Sequence, residues 1–334
     1  MRFTPVIAVI LAAAPGPSLA SGSLGFALGA KQPDGRCKYQ ADYEADFKAI
    51  RDASGSSVVR IYAADQCNTA QQILPAAKKE DFQVILGIWY VYVYCPSQTS
   101  FPVSQLGQSL RGTRHILTRA DRPDTEESYA ADKAAILRYT PGYEGQVYAV
   151  TVGSESLYRG NLTGTELADK LKDMKKSTPH FKIGSADSWN KYQDGTADAV
   201  IRQADILLTN AFSYWQGQTR DNATACFFDS IMQAFGRIQR VSGSTNKPEL
   251  WVGETGWPSD GAKYQKAVPG HDNAQAFYGE GVCGMVKWGF NVFFFEAFDE
   301  PWKPHAVGED GSEAPETHWG GMKADRTAKY SLIC

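Results

Sequence analysis

Short apolar runs recur along this chain, and each is followed by a stretch with helical spacing. The runs are LGFALG (24–29), VVRIYA (58–63), FQVILGIW (82–89), VYAVTVGSE (147–155), KIGSADSW (182–189), ILLTNAF (206–212), ELWVGETGW (249–257) and NVFFFEAF (291–298). Most are continuously apolar, as parallel strands covered on both faces must be. Between them, 163–180 has Thr163 and Thr165 as candidate caps, Glu166 early and lysines late, a charge order that suits the helix dipole. The stretch 271–289 reads as the last crossover helix. Eight strand-then-helix units predict an α/β fold, a single (β/α)8 TIM barrel. A doubly wound open sheet is the rival, but the first strand is not followed by a GxGxxG nucleotide fingerprint.

The 334 residues allow one large domain, and the net charge of −3 shows no basic stripe, so nucleic acid is not an expected partner. Arg2, the apolar run Val6–Ala14 and the small residues ending at Ala20 read as a signal peptide over 1–20. That run is too short to span a bilayer. The remaining domain then covers 21–334, expected as a secreted monomer without a membrane anchor. Secretion makes disulfides plausible for the six cysteines. No Cys/His cluster points to a metal. The sequons at Asn161 and Asn222 are candidate glycosylation sites.

Chemistry in such a barrel sits at the C-terminal ends of the strands. The polar residues there are Asp65, Ser154, Glu155, Asp187, Asn210, Glu254, Glu296, Asp299 and Glu300. An acid-lined mouth without a lysine cluster does not suit phosphate. The five histidines fall in loops or helices, which excludes a Ser-His-Asp site. Tyr62, Trp89, Tyr158, Trp189, Tyr214, Trp215, Trp257 and Trp302 stand beside the acids. Any one of these rings is explained by core packing. Together they point to a carbohydrate cleft, because flat sugar faces stack on aromatic rings.

Glu155 ends the fourth strand and Glu254 the seventh, so the two face each other across a closed barrel. Glycoside hydrolysis needs two carboxyls flanking the scissile bond, ~5–5.5 Å apart when the anomeric configuration is retained. The bland alternative is two structural carboxylates in ion pairs. On the chemical reading, a dry strand keeps Glu254 ionised and fixed, and Gly253 leaves room for sugar. Glu155 begins the cycle protonated.

At these residues the sequence resembles the family 17 glycoside hydrolases, especially their fungal cell-wall branch. The matching pieces include CKYQADYEADF, VYAVTVGSESLYRGN, GSADSWNKY, NAFSYWQGQ, WVGETGWPSDG and VFFFEAFDEPWK. The resemblance implies Glu155 as acid/base, Glu254 as nucleophile, no cofactor, and β-1,3-glucan as substrate for hydrolysis or glucanosyl transfer. Ser154 stands where many barrel glycosidases carry an asparagine that contacts the sugar 2-hydroxyl. Tyr62, Asp65, Ser154, Asp187, Trp189, Asn210, Tyr214, Trp215, Trp257, Glu296, Asp299 and Trp302 are the expected substrate-binding residues. The alternative is a catalytically silent glucan-binding wall protein. Two disulfides are expected: Cys37–Cys67, joining the loops after strands one and two, and Cys283–Cys334, pinning the C-terminus to the last helix. Connectivity is not readable from sequence alone. Cys95 and Cys226 are left over.

Residues 90–122 match no part of that pattern, which runs from ILGIW (85–89) straight into PDTEES (123–128). Loops beyond ~12–15 residues are uncommon in compact domains. Trp89 is TGG and Tyr90-Val91 is TAY-GTN, so the coding strand reads TG-GTAYGT, a donor-like sequence. With Arg122 as AGG, an acceptor AG precedes its last G. Excision then restores Trp89 followed by Pro123 in frame. The alternatives are a retained intron and a genuine lid loop over the cleft. On the intron reading, the spliced transcript joins Trp89 to Pro123. A tryptic peptide from within 90–122, found in active secreted enzyme, refutes it.

Overall fold

The computed structural model describes residues 21–89, 125–303, 306–307, 313–314 and 316–334. The expected signal peptide, the segment 90–122 and Cys95 lie outside the described residues. Strands β1 (Leu24–Ala27), β2 (Val58–Arg60), β3 (Gln83–Ile88), β4 (Val147–Ser154), β5 (Ile183–Ser188), β6 (Ile206–Asn210), β7 (Glu249–Thr255) and β8 (Asn291–Phe294) pair in sequence order. The ring closes where Leu24 of β1 pairs with Val292 of β8, so the fold is the expected (β/α)8 barrel. Every strand falls inside its expected run. Most end early because their last residues leave the ladder to enter the loops at the mouth.

The helices packed outside are α1 (Gln40–Ser54), α2 (Thr69–Glu80), α3 (Thr125–Tyr139), α4 (Gly164–Ser177), α5 (Trp189–Gln193), α6 (Asp198–Ile201), α7 (Arg220–Ser242), α8 (His271–Phe277) and α9 (Cys283–Lys287). Helix α4 starts at the expected place. Thr163 accepts from the Glu166 amide at 3.3 Å while Glu166 accepts from the Thr163 amide at 2.8 Å, a reciprocal capping box. Leu167, Ala168, Leu171 and Met174 form its buried stripe. The last crossover is not one regular helix, because a π turn over Tyr278–Val282 separates α8 from α9. A two-residue ribbon, β9 (Ala306–Val307) with β10 (Glu313–Ala314), follows the barrel and was not expected.

The lower barrel interior is apolar. Val58, Ile85, Ala149, Ala186, Ile206, Leu208, Trp251 and Phe293 form one cluster, with Trp251 stacked on Phe293 at 4.6 Å. Large rings on β7 and β8 are matched by alanines on β4 and β5. A Cβ on Gly25 of β1 would meet the Phe293 ring at 2.5 Å, so this position must stay bare. Each fully buried large side chain contributes ~1.5–3 kcal/mol. This plug is the floor on which the polar layer rests.

Cys37 pairs with Cys67 and Cys283 with Cys334, as expected. Cys226 is a half-buried free thiol. Peptide mapping without reduction should recover both pairs and alkylate Cys226. Replacing Cys283 and Cys334 by serine should cost ~2–5 kcal/mol in denaturant unfolding.

Candidate active site

The residue above the apolar plug is a buried cation. Arg60 ends β2 in the middle of VVRIYA and is 1 % exposed. Its Nη1 donates to Glu254 Oε1 at 2.9 Å and to the Gly253 carbonyl at 3.1 Å. Its Nη2 donates to Ser154 Oγ at 3.1 Å. One guanidinium thus ties β2 to β4 and β7. Planar geometry with several fixed donors suits arginine to this bridging.

Burial pushes the Glu254 carboxyl up to about 7, opposed by Arg60 and by the Tyr62 hydroxyl and reinforced by the Glu155 charge. The dry strand therefore does not keep Glu254 ionised, contrary to the sequence expectation. Desolvation disfavours the anion, and Arg60 is what favours it. Gly253 also serves a different end. A Cβ there would meet Asn210 Oδ1 at 2.6 Å, so the space holds the Asn210 amide rather than sugar.

That amide reaches the second carboxyl. Asn210 Nδ2 donates to Glu155 Oε1 at 3.2 Å, and Arg159 Nη2 donates to Glu155 Oε2 at 2.9 Å. Asn210 is also the register partner of Glu254. Glu155 has φ 56°, in the left-handed region that non-glycine residues rarely occupy. Both glutamates line one cavity of about 580 Å3, a ligand-sized cleft at the mouth of the barrel.

A third charged group stands at the end of β8. Lys303 Nζ lies 2.8 Å and 2.9 Å from the Glu296 oxygens and 3.0 Å from Glu300 Oε2. Burial, with the nearby Glu300 charge, pushes Glu296 well above the carboxylate range. Burial pulls Lys303 down, but the two carboxylates together outweigh it and leave it raised. Gly29 makes this packing possible, since a Cβ there would strike Glu300 Oε1.

Of the expected substrate contacts, Tyr62, Ser154, Trp189, Asn210, Trp215, Glu296 and Trp302 line the cleft. Trp215 stands 5.5 Å from Trp319 with the rings tilted by 31°. Trp302 carries Lys31 over its face at 4.6 Å. Five expected contacts lie off the cleft. Asp65 is exposed at the start of the turn after β2, its amide donating to Asp132 Oδ1 at 2.7 Å. Asp187 is buried and accepts the amides of Leu157, Tyr158 and Ser188. Tyr214 is buried under Trp215 and donates to the Ala262 carbonyl at 2.5 Å. Trp257 is buried against Tyr214 and donates to the Val268 carbonyl at 2.9 Å. Asp299 is paired with Lys329 at 2.6 Å. The side chains of Asp187, Tyr214, Trp257 and Asp299 brace the loops rather than face the cavity. Asn161 is also corrected as a glycan site: it is 1 % exposed, and Thr163 of its sequon caps α4. Asn222 is exposed on the first turn of α7.

Sequence reasoning missed Arg60, Arg159, Lys303 and Trp319. Arg60 had a signal, a charge inside an otherwise apolar strand. Lys303 is the last residue of the quoted motif VFFFEAFDEPWK, and Trp319 precedes a Gly-Gly pair in the tail.

Arg60→Gln should remove the charge that favours the Glu254 anion. The Glu254 carboxyl then rises further, so more of it is protonated at any given pH. The acid limb of kcat/KM should move to higher pH, with a greater loss of activity at pH 6 than at pH 8. Breaking the buried pair should also cost ~3–5 kcal/mol of stability. An unmoved acid limb would show that Arg60 does not set the charge on Glu254.

The model of the BtgE/BtgC glycoside hydrolase domain matches residues 103–320, a match that begins inside the segment 90–122. A glucan 1,3-beta-glucosidase of Arthroderma benhamiae is 46 % identical over 336 residues, covering 100 % of this chain and 98 % of that protein. A glucan 1,3-beta-glucosidase of Saccharomyces cerevisiae is 41 % identical over 327 residues, covering 94 % and 92 %. Among solved structures, an active-site mutant of a Rhizomucor miehei beta-1,3-glucanosyltransferase in complex with laminaritriose superposes with a TM-score of 0.70. It is 23 % identical, with 93 % of this chain and 97 % of that one covered, and it bears on the fold alone. With relatives matched along nearly their whole length and the family model matched over most of the chain, this protein belongs to the BtgE/BtgC glycoside hydrolases, in the fungal glucanase and transferase branch of family 17 that its motifs resemble.

Proposed function

We propose that this protein is a secreted, retaining enzyme of β-1,3-glucan in which Glu254 is the nucleophile and Glu155 the acid/base. The observation that carries the reading is one cleft lined by both glutamates, with Arg60 on the first and Asn210 on the second. Relatives named glucan 1,3-beta-glucosidases, at up to 46 % identity among those compared, supply the substrate. The cleft suits a sugar chain. Trp302 Nε1 and Trp319 Nε1 are buried donors without a partner among the described residues, and Trp189 and Trp215 present partly open rings.

In the first step Glu155 gives its proton to the leaving glycosidic oxygen. Glu254 forms an ester to the anomeric carbon as the old bond breaks. Arg60 holds Oε1, which leaves Oε2 free of the guanidinium for the attack. In the second step Glu155, now a carboxylate, takes a proton from water or from a sugar hydroxyl. That oxygen attacks the anomeric carbon and releases Glu254. Attack by water is hydrolysis, and attack by sugar is transfer. Both outcomes share every residue named here. Action outside the cell follows from the expected signal peptide and the insoluble wall glucan. No helix among the described residues is long and apolar enough to cross a membrane. The silent glucan-binding alternative is not favoured, since both glutamates occupy the cleft.

Glu254→Gln should abolish turnover of laminarin, and Glu155→Gln should lower it by ~10²–10⁴-fold. A mechanism-based fluoro-sugar should label Glu254, and products should keep the β-configuration. A label on another carboxylate, or inversion, would overturn the assignment. Wild-type protein that binds laminarin and leaves it uncut would establish the silent reading. Product analysis across laminari-oligosaccharide concentrations reads the split between water and sugar acceptors. Longer products at high concentration mean transfer.

A further inference from the structure

The carboxylate of Asp187 is only 1 % exposed, and its side chain points away from the cleft. Its Oδ2 accepts the Leu157 amide at 2.8 Å, and its Oδ1 accepts the Tyr158 amide at 3.1 Å and the Ser188 amide at 2.9 Å. Leu157 and Tyr158 belong to the turn that Glu155 opens. The residue before Asp187 grips the same turn, because the Ala186 carbonyl accepts the Glu155 amide at 2.9 Å. The end of β5 therefore holds the β4 loop at three points, the amides of Glu155, Leu157 and Tyr158, on either side of the Glu155 side chain.

That grip matters because Glu155 is strained. A non-glycine residue in the left-handed region persists only where its surroundings over-determine it. Without an acceptor at 187, the buried Leu157 amide would lose its partner in a dry place, and the turn would re-form to pair it. A glutamate relaxing from φ 56° swings its carboxyl away from Asn210 and from the cleft.

We propose that Asp187 is a positioning residue that aims the Glu155 carboxyl at the glycosidic oxygen by fixing the backbone of the Ser156–Tyr158 turn. The inference rests on Glu155 being the acid/base. Glu155 alone moves protons. Asp187 exchanges none with the substrate and contributes by geometry, where a misplacement of about 1 Å costs ~10²-fold in rate.

The test uses Asp187→Asn in the full-length enzyme. An asparagine keeps the shape but turns one acceptor into a donor facing an amide. Laminarin, whose leaving group needs a proton, should be cleaved ~10²-fold more slowly. A dinitrophenyl β-glucoside of a laminari-oligosaccharide, whose leaving group needs none, should still form the glycosyl-enzyme at close to the wild-type rate. Sodium azide should then accelerate turnover of that donor and yield the β-glycosyl azide, because azide attacks without base help. Glu155→Ala is the control. If azide fails to rescue Glu155→Ala, the acid/base assignment itself is wrong. If it rescues Glu155→Ala but not Asp187→Asn, or if Asp187→Asn loses equally on both donors, Asp187 is merely structural and the proposal falls. Should Asp187→Asn not fold, Asp187→Ser, smaller but still an acceptor, is read on the same two donors with the same outcomes.

Discussion

A buried arginine facing a buried glutamate organises this active site. Taking either charge out of water alone is costly, and an uncompensated ion in a dry barrel costs several kcal/mol. Arg60 and Glu254 each make the other tolerable, at 2.9 Å and almost wholly buried. The pair forces its neighbours into place. Ser154 and the Gly253 carbonyl complete the guanidinium's partners, and Gly253 must stay bare to admit Asn210. Asn210 then reaches Glu155. A chain of short contacts therefore runs from β2 through β7 and β6 to β4, and both carboxyls sit on it.

Above this layer, buried carboxylates serve as loop clamps. Asp132 on α3 accepts the Asp65 amide at 2.7 Å and the Trp89 amide at 2.9 Å, tying the loops after β2 and β3 together. Asp187 does the same for the loop after β4. Burial raises Asp132 to about 6 and Asp187 to about 7, while the amides they accept pull the other way. Lys303 balances two acids at the end of β8, and Lys329 balances Asp299 beside it. A perturbed acid at a barrel mouth thus has two meanings. Glu254 is perturbed where it lines the cleft, whereas Asp132 and Asp187 are perturbed by burial where they hold backbone.

The aromatic residues divide in the same way. Trp189, Trp215 and Trp302 offer ring surface to the cleft, whereas Tyr214 and Trp257 are buried beneath it with their polar atoms on loop carbonyls. Tyr214 meets Trp215, Trp257 and Trp319 edge-to-face at 5.0–5.5 Å. The buried rings set the angle at which the open ones stand. A tryptophan or tyrosine near a strand end can therefore act one layer away from the substrate.

The barrel was legible in the sequence, because a strand covered on both faces has to be apolar throughout and its period is visible in a linear text. Glu155 and Glu254 were legible too, since each is a lone acid closing such a run, and a closed ring brings strands four and seven face to face. The two cysteine pairs were an expectation that the sequence alone does not fix, and the fold brings both together. The direction of each side chain was not legible. Asp187, Tyr214, Trp257 and Asp299 lie at the mouth in sequence, but a turn of the backbone sends them to amides, carbonyls or a lysine instead of the cavity, and Asp65 stands exposed off the cleft. Asn161 reads as a surface sequon and is buried, while the threonine of that sequon caps α4. Arg60 stood in plain view as a charge in an apolar strand. Its partners are 94 and 194 residues away, so only the closed barrel showed that it carries the charge of Glu254.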